Sequence, residues 1–90
     1  MDINAFKECH RRATNGLCVK VSQDNRPQIQ SYLNRRVEGM VHLSDTGILI
    51  PMEGDYRAAE VGEYIVIEPD NIIKIMSEEK FNKYYYISEH

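Results

Sequence analysis

The feature that most constrains the fold is a run of short apolar segments separated by turn residues, from Gly47 to Tyr85. Ile48–Met52, Tyr64–Glu68 and Ile72–Met76 are rich in β-branched and aromatic side chains, which is typical of strands. Residues 69–71, Pro-Asp-Asn, suit a three-residue hairpin loop whose last position accepts a left-handed conformation. The run therefore predicts antiparallel β-structure.

Two further strands are predicted upstream of this run, at Leu17–Val21 and Val37–Leu43. The second of them precedes Ser44-Asp45-Thr46-Gly47, where Gly47 is expected to take a positive φ angle and close the first hairpin. Residues 54–62, which begin and end in glycine, are expected to form a connection between the two hairpins.

Helices are predicted at three places. Residues 1–16 are expected to form an N-terminal helix that stops at Asn15-Gly16. Ile29, Tyr32 and Leu33 have the i, i+3, i+4 spacing of a short second helix, which ends in Arg35-Arg36. Ser77 is a candidate N-cap for a last helix, on which Phe81 and Tyr84 are expected to face the core.

Together these elements predict an α+β fold, with a small antiparallel sheet of about five strands in two hairpins and two or three short helices. A chain of 90 residues has room for a single core, so residues 1–90 are expected to form one domain. In that domain the N-terminal helix of residues 1–16 precedes a sheet-containing core of residues 17–87.

The composition argues against several classes of protein. No apolar run approaches the ~20 residues that span a bilayer, and the N-terminus lacks the order of a signal peptide, so a cytoplasmic protein without a membrane partner is expected. Cys9 and Cys18 are then expected to be reduced, with Cys9 packed in the interior. No metal and no cofactor are expected, because the histidines are scattered.

The charge is unevenly distributed along the chain. Residues 1–36 carry seven Lys and Arg against three Asp and Glu, whereas residues 37–90 carry four against eleven. This split is compatible with a basic face that meets an anionic ligand, and equally with two solvated faces.

The C-terminal half resembles a family of small, uncharacterised bacteriophage and prophage proteins. The residues that carry the resemblance are Ile50-Pro51, Gly54-Asp55, Ala58, Gly62-Glu63-Tyr64-Ile65, Phe81 and Tyr84. The family usually has Asp where Glu63 stands, and often has Gly in the second hairpin turn. The resemblance implies a phage origin, and it gives no activity. Small phage proteins of this kind are often antagonists of bacterial defence that act by binding, which is an analogy at the level of gene type.

The residues themselves favour a binding protein over an enzyme. No GxSxG, HExxH or phosphate-cradling glycine loop is present, and turn chemistry explains Glu53 and Asp55 better than a catalytic pair does. Guanidinium groups suit phosphate, and tyrosine rings can stack on a base. The candidate ligand-binding residues are Arg57, Tyr56, Arg35, Arg36, Arg11, Arg12 and Tyr32.

The first hypothesis is therefore a non-enzymatic phage protein that sequesters a small nucleotide signal of the infected host, as a homo-oligomer. The first alternative is an acidic, anti-CRISPR-like inhibitor that binds a host nuclease or another defence effector. The second alternative is a structural phage component without a ligand. Duplex nucleic acid is disfavoured as a partner by the net charge of −3.

Overall fold

The computed structural model describes residues 6–11 and 14–87, with the backbone alone at 11, 14 and 15. In this part of the chain eight strands form two antiparallel sheets, and two α-helices pack on them, so the predicted α+β class is confirmed. The elements are β1 (Lys7–Arg11), β2 (Thr14–Lys20), α1 (Arg26–Asn34), β3 (His42–Leu43), β4 (Gly47–Met52), β5 (Asp55–Glu60), β6 (Tyr64–Glu68), β7 (Ile72–Met76), α2 (Glu78–Tyr84) and β8 (Tyr86–Ile87).

The larger sheet has five strands in the order β7-β6-β2-β1-β8, and the smaller has three in the order β3-β4-β5. A five-stranded sheet was expected, but the predicted strands are divided between the two sheets. The hairpin of β6 and β7 has its three-residue loop at Pro69–Asn71, where Asn71 has the predicted positive φ of 61° and Asp70 has one of 68°.

The N-terminal helix predicted for residues 1–16 is wrong over the residues that the structure describes. Lys7–Arg11 forms β1, which pairs with β2 so that Lys7 lies opposite Cys18 and Cys9 opposite Gly16. Cys9 is fully buried while Lys7 and Glu8 are exposed, so strand pairing overrides the helical spacing. Gly16 belongs to β2 and does not end a helix. Residues 1–5, 12 and 13 lie outside the described residues.

Two predictions around the first hairpin are also wrong. The strand predicted for Val37–Leu43 is reduced to His42–Leu43, because side chains of α1 bind the backbone of Val41. The N–H of Val41 donates to Asn34 Oδ1 (2.9 Å), and the carbonyl of Val41 accepts from Gln30 Nε2 (2.8 Å). Gly47 does not have a positive φ angle. A Cβ there would lie 2.2 Å from the carbonyl oxygen of Ala59, so close approach of β5 explains this glycine.

The predicted connection of residues 54–62 is largely strand β5. It pairs along its whole length with β4, from Gly47 opposite Glu60 to Met52 opposite Asp55. The loop between the two strands is Glu53-Gly54, with φ angles of 51° and 81°, and two consecutive positive angles are the signature of a type I′ hairpin turn.

The buried side chains form two clusters on opposite faces of the five-stranded sheet. The central cluster lies between the two sheets and α1, and includes Ile29, Leu33, Ile48, Ile50 and Ile65. The second cluster lies between the five-stranded sheet and α2, and consists of Cys9, Cys18, Tyr64, Val66, Met76, Phe81 and Tyr85. Neither helix is long and apolar enough to cross a membrane.

Candidate functional site: a cleft lined by lysine and tyrosine

The strongest candidate site is a cleft where α2 crosses β7. Lys74 and Met76 alternate along β7 and lie opposite Val66 and Tyr64 of β6, on the sheet face that α2 covers. Lys80 and Tyr84 are four residues apart on α2, so they lie one above the other on one side of that helix. The topology therefore brings two lysines and a tyrosine ring together from separate segments.

The helix that carries Lys80 and Tyr84 is fixed at both ends. The hydroxyl of Ser77 accepts a 3.1 Å hydrogen bond from the N–H of Lys80, which confirms the predicted N-cap. Phe81 is buried, and its ring stacks on that of Tyr64 with 3.9 Å between centroids and 3° between planes. The ring of Tyr85 lies nearly parallel to Phe81 at 5.3 Å. The side of α2 that faces the cleft is set by this stack.

The cleft has a volume of about 290 Å³ and is lined by Lys74, Met76, Lys80, Tyr84 and Tyr85. Its described lining residues include two cations and no carboxylate. Tyr84 is 47% exposed, and Nζ of Lys83 lies over its ring, 5.6 Å from the centroid. Lys74 forms an ion pair with Glu68, in which its Nζ lies 3.3 Å from Oε1. The side chain of Lys74 remains 43% exposed.

Of the predicted site residues, Tyr32, Arg35 and Arg36 lie together at the C-terminal end of α1. The Tyr32 ring has Phe6 stacked at 4.4 Å and the Arg36 guanidinium at 4.6 Å. Two groups at these distances already contact the ring, which leaves Tyr32 poorly placed to stack on a base. Arg36 also donates from Nη1 to Oδ1 of Asn71 (3.2 Å).

Tyr56 and Arg57 are adjacent in β5 and therefore point to opposite faces of the small sheet. The ring of Tyr56 lies 5.5 Å from that of His42, on the face where Pro51 is opposite Tyr56. Arg57 lies opposite Ile50 and is exposed. These two residues do not form one site, although they are neighbours in sequence. The side chain of Arg11 and the whole of Arg12 lie outside the described residues.

Two other clefts are less suited to an anion. The cleft beside Arg36, of about 250 Å³, is also lined by Glu68 and Asp70. The cleft beside Tyr56, of about 450 Å³, is lined by Glu38, Glu53 and Asp55. Carboxylates repel phosphate, so of these three clefts the lysine–tyrosine cleft has the favourable charge. No group of three or more described His, Cys, Asp and Glu residues lies close enough to hold a metal ion.

The two thiols are unsuited to nucleophilic chemistry. Cys9 and Cys18 are both buried and free, and their side chains are hydrogen-bonded to each other. Burial raises the pKa of Cys9, and burial together with the neighbouring thiol raises the pKa of Cys18 to about 12. Because the thiolate is the reactive form, both groups stay protonated and structural at neutral pH.

Lys74, Met76 and Lys80 were missed by the sequence analysis, which named arginines and tyrosines as the candidate ligand-binding residues. A usable signal was present: Ser77 fixes the start of α2, and Lys80 and Tyr84 have the i, i+4 spacing that places them on one side of that helix. Tyr84 was predicted to be core, and this is wrong. Tyr85 is buried in its place, because the chain leaves the helix there in an extended conformation.

Comparison of the chain with protein-family models, with curated proteins and with solved structures gives no match. The resemblance to phage proteins stays a prediction.

Proposed function

We propose that this protein is a non-enzymatic binding protein that sequesters a small nucleotide in the cleft of Lys74, Lys80 and Tyr84. One observation carries the proposal: two ammonium groups and a half-exposed aromatic ring line one cleft, and Glu68, the carboxylate that pairs with Lys74, lies outside the described lining. Lysine ammonium groups bind phosphate as point charges, and an aromatic ring stacks on any base.

The size of the cleft supports one small ligand. Its volume of about 290 Å³ is just below the roughly 300–1,000 Å³ that small-molecule sites occupy. Met76 contributes an apolar surface, and Tyr85 is held by its hydrogen bond to Glu68. A cleft with two cations and a tyrosine fixed by a hydrogen bond favours retention of a mononucleotide.

The biological setting of the proposal comes from the family resemblance. In that setting the protein is encoded by a phage, acts in the cytoplasm of the infected bacterium and withdraws a nucleotide signal from an antiviral defence system. Self-association stays a prediction, and analytical ultracentrifugation would measure it.

Isothermal titration calorimetry with linear and cyclic mononucleotides tests the proposal. We expect dissociation constants in the micromolar range or below, with the nucleotide recovered unchanged. Lys80→Ala is expected to weaken binding at least tenfold. Lys7→Ala is the matched control, because Lys7 is an exposed lysine three strands away from β7, roughly 14 Å across the sheet. Absence of binding at millimolar nucleotide, or turnover of the nucleotide, would overturn the proposal.

A second candidate function rests on the acidic cleft beside Tyr56. Glu38, Glu53 and Asp55 converge at the hairpin of β4 and β5, which favours a basic surface on a protein partner. This is the arrangement that an inhibitor of a nucleic-acid-binding effector would need. Glu53→Gln combined with Glu38→Gln is expected to abolish capture of such a partner and to leave nucleotide binding unchanged. The third hypothesis, a structural phage component, stays a prediction.

A further inference from the structure

Among the strands that the structure describes, β5 is an edge of the small sheet, and its outward-facing backbone groups can be identified. The N–H of Val61, just past the end of β5, donates to the carbonyl of Thr46 on the β4 side (2.8 Å). Because direction alternates along a strand, the N–H and C=O groups of residues 55, 57 and 59 also face β4. Those of Tyr56, Ala58 and Glu60 face away from the sheet, where another strand could pair with them.

Most of these outward groups at the two ends of the strand are already hydrogen-bonded within the chain. The N–H of Tyr56 donates to Oδ1 of Asp55 (2.8 Å). The N–H of Glu60 donates to Oε1 of Glu63 (2.8 Å), and the carbonyl of Glu60 accepts from the N–H of Glu63 (2.9 Å). The amide of Ala58, in the middle, has no such partner among the described residues.

Both capping carboxylates directly follow a glycine with a positive φ angle. Gly54 has φ +81° and precedes Asp55, and Gly62 has φ +100° and precedes Glu63. At each end of β5 the glycine turns the chain, and the next side chain reaches an outward amide. Asp55 accepts from the residue that follows it, and Glu63 accepts from the residue three positions before it.

We propose that Gly54-Asp55 and Gly62-Glu63 close the β5 edge against strand addition by a second copy of this chain. Exposed edge strands invite such pairing, and proteins commonly block it with charged side chains. Here the block is specific, because each carboxylate occupies the amide that an added strand would need.

The unblocked edge would suit a second copy. Antiparallel pairing about a two-fold axis at Ala58 would put Tyr56 of each copy opposite Glu60 of the other, so the ladder would use all three outward amides of β5. The small side chain of Ala58 would not obstruct the axis. The two caps therefore hold the amides on which this pairing depends.

Amide hydrogen exchange of the wild-type protein tests the caps directly. After correction for intrinsic rates, we expect the amides of Tyr56 and Glu60 to exchange at least tenfold more slowly than that of Ala58. Equal exchange rates at the three positions would overturn the proposal, whatever the variants do.

Sedimentation of matched variants tests the consequence. Asp55→Ala with Glu63→Ala is expected to raise the concentration-dependent mass above that of the wild-type chain, up to twofold. Asp55→Asn with Glu63→Gln keeps both acceptor oxygens and should behave as wild type. Adding Ala58→Pro to the double alanine variant should restore the wild-type mass, because proline removes an outward amide that β4 does not use. An unchanged mass in the alanine variant would contradict the proposal. So would association that persists with Ala58→Pro or that also occurs in the amide variant.

Discussion

The phenolic oxygen of Tyr85 donates a 2.9 Å hydrogen bond to Oε2 of Glu68. The other oxygen of the same carboxylate lies 3.3 Å from Nζ of Lys74. Glu68 therefore orients one wall of the lysine–tyrosine cleft and neutralises part of the charge of one of its two cations. A phosphate that enters the cleft competes with this carboxylate for Lys74.

Glu68→Gln is expected to tighten the binding of a nucleotide by roughly fivefold, which corresponds to about 1 kcal/mol. The substitution removes a negative charge next to Lys74, while the amide oxygen can still accept from Tyr85. Calorimetry measures the effect. Glu78→Gln is the control, because Glu78 pairs with Lys20 at 3.1 Å, outside the cleft lining. Equal or weaker binding to the Glu68 variant would show that this carboxylate does not compete with the ligand.

Two glycines of the β4–β5 hairpin should respond to alanine by different amounts. At Gly47 a Cβ would lie 2.2 Å from the backbone oxygen of Ala59, so Gly47→Ala is expected to lower the free energy of unfolding by about 3 kcal/mol. At Gly54 a Cβ would meet nothing within 4 Å, and only the positive φ angle is unfavourable, so Gly54→Ala should lose about 1 kcal/mol. Urea unfolding followed by circular dichroism gives both values. A larger loss at Gly54 would contradict the close packing of β4 and β5.

Stability should fall at alkaline pH because of the buried thiol of Cys18. Its pKa is raised from 9.0 to about 12 in the folded protein, so above pH 9 the unfolded chain loses a proton that the folded chain keeps. The unfolded state is then favoured, by up to about 1.4 kcal/mol per pH unit between pH 9 and 12. Below pH 9 this group contributes no pH dependence.

The measurement is the free energy of unfolding at pH 8, 9 and 10 in the presence of a reductant. Cys18→Ala is the reference, since tyrosines and lysines that titrate in the same range are common to both proteins. We expect the wild-type slope above pH 9 to be steeper than that of the variant. Parallel slopes would show that Cys18 ionises as readily in the folded protein as in the unfolded chain.

Local signals in the sequence predicted the elements that depend on local chemistry. Ser77 caps α2, Asn71 takes the left-handed position of its loop, and Ile29 and Leu33 face the core from α1. In each case a few neighbouring residues determine the conformation, so spacing and turn chemistry were sufficient.

The errors concern partners that are distant in sequence. The strand at Lys7–Arg11 is stabilised by β2 and β8, which cannot be recognised from its own spacing. Arginines were judged by their clustering along the chain, whereas Lys74 and Lys80 meet because a strand and a helix cross. Tyr56 and Arg57 belong to strand β5, in which consecutive side chains lie on opposite faces of the sheet, so they do not form one site. A site made by crossing elements requires the tertiary structure.

The most direct test of the account is the location of a bound nucleotide, measured by titrating the isotopically labelled protein with a mononucleotide and following its amide and side-chain resonances. The account predicts that saturable shifts centre on Lys74, Lys80 and Tyr84, and that Arg57 and Tyr32 are unaffected. Shifts that centre on Tyr32 and Arg36, or on Tyr56, would contradict it, as would the absence of any saturable change.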